Sequence, residues 1–357
     1  MNTSTIEDND DAPGWSAIDR ALNQLYPQQK PKHFGTVVPA ALGGQDPLNG
    51  VSAYLRMDPL PHWHYITYGF SDLFVKESPD PETSGYGFEL TFRLACSNDS
   101  TEPPTWPIGL LQNLARYVFK SGNVLADGHW MNANGPIALE TDTLICSLGF
   151  IIDPELKGID TPHGHLDFLQ LVGLTEDEEL AGKTWNVKSF LDVLLPHMPL
   201  WITDLHRASL MTVPSVAEKV QQASLSEPSS NAYLYTDVLQ LGPLKRLFRP
   251  SVMTITMGAG QVSALLAALL RRLPFGLEFT FASPDATMIC AAGNENSYAL
   301  QGTELRLQLS GDALRTLQAT LLPIAGTYPV PGFADLQICV RKTHITDQAG
   351  KIVKTIG

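Results

Sequence analysis

The chain contains no apolar run of the length a membrane-spanning helix needs. It is poor in cysteine, with Cys96, Cys146, Cys290 and Cys339 spread far apart. They form neither a CxxC pair nor the spacing of a disulfide framework, so reduced, buried thiols and a cytoplasmic location are expected. The opening MNTSTIEDNDD lacks the basic start and apolar core of a secretory signal. Positive charge is scarce: 24 Lys and Arg stand against 37 Asp and Glu, a formal net charge of -13. That excess argues against direct binding of nucleic acid or an anionic membrane. There is no Gly-x-Ser-x-Gly nucleophile elbow, no internal repeat and no low-complexity tract.

What is present suffices for two ordinary domains: 357 residues, 44% of them hydrophobic. The charge is uneven. Residues 241–357 carry eleven Lys and Arg against seven Asp and Glu, a net of +4, which leaves residues 1–240 at -17. The acidic part would attract a cationic partner, or serve solubility alone.

Residues 1–12 read as a disordered tail. Trp15, Ile18, Leu22 and Leu25 recur at helical spacing until Pro27 stops them. Gly87–Leu94 alternates, with Phe88, Leu90, Phe92 and Leu94 on one face and Glu89, Thr91 and Arg93 on the other, which predicts a half-buried strand. His62–Phe70 reads as another strand. Pro107 suits the first turn of a helix that turns Leu111, Leu114, Ala115 and Val118 inward and ends near Gly122. Thr143–Ile152 and Leu166–Leu174 are continuously apolar and predict strands covered on both faces. Glu176, Asp177, Glu178 and Glu179 open a short helix, and Asn186–Leu195 form another. The stretch QQASLSEPSSN from Gln221 predicts a linker. After it, helices are expected over Gln261–Leu273 and Asp312–Leu321, among strands that include Ser251–Met257 and Phe275–Ala282. The fold class is mixed α/β (α+β), in two domains: 13–220, then a linker over 221–245, then a smaller α/β domain over 246–357.

Three motifs carry chemistry elsewhere. Gly182-Lys183-Thr184 ends like a phosphate loop, but Asp177 stands where that loop needs glycine, among four acids. Gly258-Ala259-Gly260 follows a strand and opens a helix, with Glu278 some 20 residues on, yet Ser263 replaces the third glycine of a dinucleotide fingerprint. His62/His64 and His163/His165 would each share a strand face, as paired metal ligands do, with His197 or His206 as further ligands. The plainer alternatives are a helix end, a strand-to-helix turn and ordinary hydrogen-bonded histidines.

Several segments, in order and spacing over about residues 13–205, resemble the Suppressor of fused family. They include Pro13-Gly14-Trp15, Gly43-Gly44 with Asp46-Pro47-Leu48, and His62-Trp63-His64-Tyr65 with Gly69-Phe70-Ser71-Asp72-Leu73. Gly85-Tyr86-Gly87-Phe88-Glu89-Leu90, Pro103-Pro104-Thr105-Trp106-Pro107, Phe168-Leu169-Gln170-Leu171 and Ile202-Thr203-Asp204 continue the match. The resemblance implies two domains, each a sheet flanked by helices, with no catalytic activity and no cofactor or metal. It implies a compact bacterial-type member that clamps an extended partner polypeptide between its domains, as an immunity protein neutralising a toxin. The alternative is sequestration of an endogenous regulatory or transcription-related protein through a short peptide motif. A nucleotide- or metal-dependent enzyme is the remote third reading.

Carried over residue by residue, the resemblance maps a partner-binding strand onto Asn123–Trp130, with Tyr117, Leu125, Asp127 and His129 as contacts. Leu125 stands where animal members have Phe, and His129 where they have the acid that pairs with the ligand. Asp127 lies two residues away, on the same face of a strand, and is expected to substitute. In the second domain the matching strand is Phe275–Phe281, with Phe279 and Phe281 as contacts.

Overall fold

A computed structural model of the chain describes residues 11–37, 43–139, 141–246, 249–346 and 352–357. Ten of the twelve residues read as a tail thus lie outside the described residues, whereas Ala12 is buried where the first helix begins. Two compact units are formed. One comprises the chain up to Gly182 with Val187–Lys219; the other comprises Lys183–Asn186 with Val220–Gly357. Among the described residues, no helix is long and apolar enough to cross a membrane.

The first unit contains, in order, α1 (Pro13–Leu25), β1 (Lys32–Gly35), β2 (Gly50–Arg56), β3 (His62–Tyr68), β4 (Thr83–Ala95), α2 (Trp106–Ser121), β5 (Trp130–Asn132), β6 (Ile145–Ile152), β7 (Ile159–Thr161) and β8 (Gly164–Thr175). Three helices follow: α3 (Glu176–Thr184), α4 (Val187–Leu194) and α5 (Pro214–Ser226), the last residues of α3 and of α5 belonging to the second unit. The strands form one eight-stranded sheet in the order β1-β2-β3-β4-β8-β6-β5, with β7 hairpinned onto β8. β4 and β8 run parallel, and the other neighbours are antiparallel.

Both faces of this sheet are covered. On one side Phe88, Leu90, Phe92 and Leu94 meet Leu111, Leu114, Ala115 and Val118 of α2 in a single apolar cluster. α2 starts with Pro107 in its first turn and ends at Gly122, whose φ of 71° glycine adopts without strain. On the other side Ile18 and Leu22 of α1 pack on Tyr54, Ile66, Tyr68 and Phe168. Glu89, Thr91 and Arg93, expected on an open face of β4, are therefore fully buried. Alternation reports two unlike faces; it does not report whether the polar one is covered.

α5 corrects the linker reading over 221–226, which are the last turns of a helix. β6 and β8 are buried along most of their lengths. Glu178 and Glu179 are buried too, because Arg207 forks onto Glu178 and Asn132 reaches Glu179.

The second unit holds β9 (Tyr233–Tyr235), β10 (Leu239–Arg246), β11 (Arg249–Gly258), α6 (Ala259–Arg272), β12 (Phe279–Ala282), β13 (Thr287–Ala292), β14 (Ser297–Gln301), β15 (Glu304–Leu309), α7 (Gly311–Thr320), β16 (Gly326–Pro329), β17 (Leu336–Arg341), β18 (Thr343–Thr346) and β19 (Ile352–Ile356). The expectation of one sheet per domain gives way here to a four-stranded sheet, β10-β11-β17-β16, a five-stranded sheet, β14-β15-β13-β12-β9, and the β18-β19 hairpin. One apolar cluster joins Ile255, Met257 and Ile338 of the first sheet to Phe279, Phe281 and Leu305 of the second, with Val262, Leu265 and Leu269 of α6.

Candidate functional site

The residues nominated in the first unit fall on α2, on the segment after it, and at the end of the sheet. Tyr117 lies on α2, 40% exposed, and its hydroxyl accepts a hydrogen bond from Asn123 Nδ2 at 2.8 Å. Residues 123–129 are not the expected strand. Gly128 turns the chain at φ 83°, and only Trp130–Asn132 add to the sheet. Leu125 points into the core. Asp127 is half-buried: one carboxylate oxygen accepts from the Ile152 amide at 3.3 Å, and the other pairs with Lys188 Nζ at 2.5 Å. His129 is exposed, and its carbonyl accepts from the Phe150 amide. Tyr117 and His129 thus reach the surface, Leu125 supports it from below, and Asp127 already has a cation.

β5 matters because it ends the sheet. Met131 faces Leu148 across the ladder, flanked by the His129 carbonyl and the Ala133 amide, which also bond to β6. The alternation of antiparallel bonding then turns the main-chain groups of Trp130 and Asn132 away from β6. On β5 itself Trp130 is 38% exposed, and in the segment leading to it Val124 is 49% exposed.

Phe279 and Phe281 are fully buried in the core of the second unit, so their side chains are not a contact surface. β12 is also flanked on both sides, by β13 and by β9, so its main chain is already paired. Residues 273–275 form a 3-10 turn rather than the start of this strand. The sheet ends at β14 on one side and at β9 on the other, and on β9 Tyr233 and Tyr235 are about half-exposed.

The competing motifs have structural uses. Gly182-Lys183-Thr184 closes α3 at its carbonyl end, the wrong pole for phosphate. At the start of α6, the Gly260 amide donates to the Thr343 hydroxyl, and a side chain at Gly258 would strike that same oxygen. Each histidine of the two pairs has its own protein partner: His62 the Leu60 carbonyl, His64 the Tyr26 hydroxyl, His163 the Phe74 carbonyl and His165 the Asp160 carboxylate.

The residues that sequence reasoning missed form the buried polar face of β4. Arg93, with no exposed surface, donates to Asp153 through two nitrogens, to Gln170, and to Glu155, which also binds Arg56. Thr91 donates to the same Asp153 oxygen at 2.7 Å. Burial alone would raise the Asp153 carboxyl, but the Arg93 charge and His64 hold it well below the usual carboxylate range. Burial, followed by the Arg93 charge, lowers the His64 imidazole to about 4. The Tyr26 hydroxyl and His64 Nδ1 share a hydrogen bond of 2.6 Å, and the Asp153 carboxylate facing the other ring nitrogen favours the tautomer with its proton on Nε2. That nitrogen lies 3.2 Å from Asp153 Oδ2, close enough for attraction but not aligned as a hydrogen bond.

Further along β4, pairing with β3 stops at Ile66–Thr91, and the Glu89 carboxylate takes over. It accepts from Thr67, from the Gly69 and Ser71 amides and from the Ser71 hydroxyl. Burial raises the Glu89 carboxyl, and these donors counter the shift. Both arrangements are buried and hold the sheet and its loops in shape.

Comparison with known proteins gives this geometry a family context. A family model described as Suppressor of fused protein matches residues 44–208. Suppressor of fused homologs of Mus musculus and Homo sapiens are each 35% identical over 234 residues, covering 61% of this chain and 48% of theirs. The chain thus matches about half the length of these curated relatives. The crystal structure of Drosophila Suppressor of Fused aligns with a TM-score of 0.81 at 26% identity, over 92% of this chain and 97% of that one. A chain from a Sufu-Fu complex aligns with a TM-score of 0.55 at 34% identity, over 59% of this chain and 96% of that one.

Proposed function

Because the chain belongs to the Suppressor of fused family, we propose that it is a non-enzymatic protein-binding module that takes up an extended segment of a partner polypeptide. The observation that carries this reading is the β5 edge, where a sheet of eight strands ends at Trp130–Asn132, with Trp130 exposed and Val124 exposed in the segment that leads to it. An added strand gains affinity from main-chain hydrogen bonds, and neighbouring side chains select its sequence. A relative with a solved structure is described as part of a Sufu-Fu complex, which accords with the reading. Tyr117 and His129 would touch the segment, and Leu125 would shape the floor beneath it. Asp127 would have to exchange Lys188 for a cation of the partner. In the second unit, β9 is the candidate edge, with Phe279 and Phe281 acting only as core support.

The partner we propose is a toxin that this chain neutralises as an immunity protein in a cytoplasm. Support comes from the net charge of -17 over residues 1–240, which would steer a cationic partner such as a nuclease. The association rate is then expected to fall as salt rises; a salt-independent rate would remove the steering argument. Sequestration of an endogenous regulator is the second reading, favoured by the Sufu-Fu relative. Photo-crosslinkers at Val124 and, separately, at Tyr235 test the common core of both. Capture of one and the same protein at both positions supports the clamp, and mass spectrometry of that protein tells toxin from regulator. Capture at neither position would overturn the proposal.

A further inference from the structure

A groove of about 500 Å³ opens on the first unit, within the size range of small-molecule and side-chain pockets. It is distinct from the β5 edge in the residues that build it. One wall is Phe119 of α2, 43% exposed, with its ring set edge-on to Tyr86 at 4.9 Å and near Phe70 at 6.1 Å. The other is Phe74 and Val75, 48% and 60% exposed, and Trp15 backs Phe74 at 6.4 Å. Apolar side chains so exposed, gathered around one cavity, mark a contact surface more than chance exposure does.

The groove is preformed. The Glu89 carboxylate grips its floor through the Gly69 and Ser71 amides at 2.9 and 3.0 Å. Ser84 accepts the Asp72 amide at 3.0 Å, and the Phe70 carbonyl accepts from the Tyr86 amide at 2.8 Å. Lys76, which does not line the groove, spends its ammonium on the Thr83 and His163 carbonyls and on Ser78, with Asp72 at 3.6 Å. Little ordering is therefore left for a ligand to impose, which favours binding.

Charge selects the occupant. Asp72 and Glu77 line the groove, and among the described residues no Lys, Arg or His does. The Asp72 carboxylate is taken by Ser78 and Lys76, whereas Glu77 is exposed. We propose that this groove docks a second, separate segment of a partner protein, one in which an aromatic or branched aliphatic side chain is flanked by Lys or Arg. The apolar side chain enters between Phe119 and Val75, and the flanking cation meets Glu77. This site goes beyond the strand-addition reading and does not depend on it.

The test uses the full chain, amide chemical shifts and two probes, acetyl-Lys-Phe-Leu-Lys-amide and acetyl-Glu-Phe-Leu-Glu-amide. The cationic probe is expected to give saturable shifts at Gly69, Ser71 and Gly85 and to bind about fivefold tighter than the anionic one. Val75→Asp is expected to weaken it about tenfold, because the new carboxylate would be desolvated against the apolar anchor. Generic attraction to an acidic protein predicts the opposite, since that variant adds negative charge. Val75 is exposed, so the variant is expected to fold; Glu77→Lys supplies a second check by reversing the probe preference. Equal binding of both probes, shifts confined to other surfaces, or unchanged affinity in Val75→Asp would overturn the proposal. So would a dimer of the chain that Val75→Asp dissolves, because the occupant would then be a second copy.

Discussion

The two faces of β4 are held in opposite ways. Toward α2, Phe88, Leu90, Phe92 and Leu94 are held by non-directional burial. Toward α1, Glu89, Thr91 and Arg93 are equally buried but held by directed, charged hydrogen bonds. The first kind of face tolerates a change of shape at constant volume, whereas the second fails when one partner of a buried pair is lost. What separates them is the cost of an error rather than the degree of burial.

The sharpest way to break this comparison is Arg93→Met, similar in length but uncharged. It leaves Asp153 as an uncompensated buried carboxylate and is expected to cost about 3–5 kcal/mol, read as a fall in the urea midpoint at constant slope. A cost near 1 kcal/mol would mean the polar face is no more fragile than the apolar one.

Acid is next. His64 takes up a proton near 6.5 when unfolded but only near 4 when folded. Between those values the unfolded chain binds the extra proton, so stability falls as pH falls, by about 3 kcal/mol on reaching pH 4. Glu89 acts in the other direction, because its raised folded pKa favours the fold as the carboxyl protonates. The depressed Asp153 adds its loss only below the unfolded carboxyl range near 3.8. Urea midpoints at pH 6.5 and 4.5 measure the slope, and His64→Gln is expected to flatten it.

On the apolar face, Leu90→Met is expected to cost less than about 1.5 kcal/mol in the same assay. Smallest is Lys188→Ala, which breaks an exposed pair with Asp127 and is expected to change stability by about 0–1 kcal/mol. Its use is to free Asp127: partner affinity is expected to rise if that carboxylate serves a ligand cation, and to stay constant if it does not.

Much of the scaffold was legible in the amino acids. The stripe Leu111, Leu114, Ala115, Val118 gave α2, and its end at Gly122 followed from a left-handed cap. The continuous apolar runs gave β6 and β8 as buried strands. The polar core was not legible, because Glu89 and Arg93 on alternate positions look the same whether water or Asp153 and Ser71 lie opposite. Partners 18 to 77 residues away leave no local trace. Short strands such as β9 and β5 were missed for a related reason, since three residues carry too little periodicity to distinguish strand from loop. Of the candidate site, the resemblance nominated Tyr117 and His129, which the fold places at the surface. Strand register and burial, which place Leu125, Phe279 and Phe281 inside, depend on tertiary packing.

The proposed function stands or falls with the addition of a partner strand at the β5 edge. Amide hydrogen exchange of the full chain, alone and bound to the protein captured at Val124, tests it most directly. Strand addition predicts slowed exchange at Asn132, whose main-chain groups turn away from β6, with little change at Met131, which is already paired. Unaltered exchange at Asn132 in a saturated complex would contradict it.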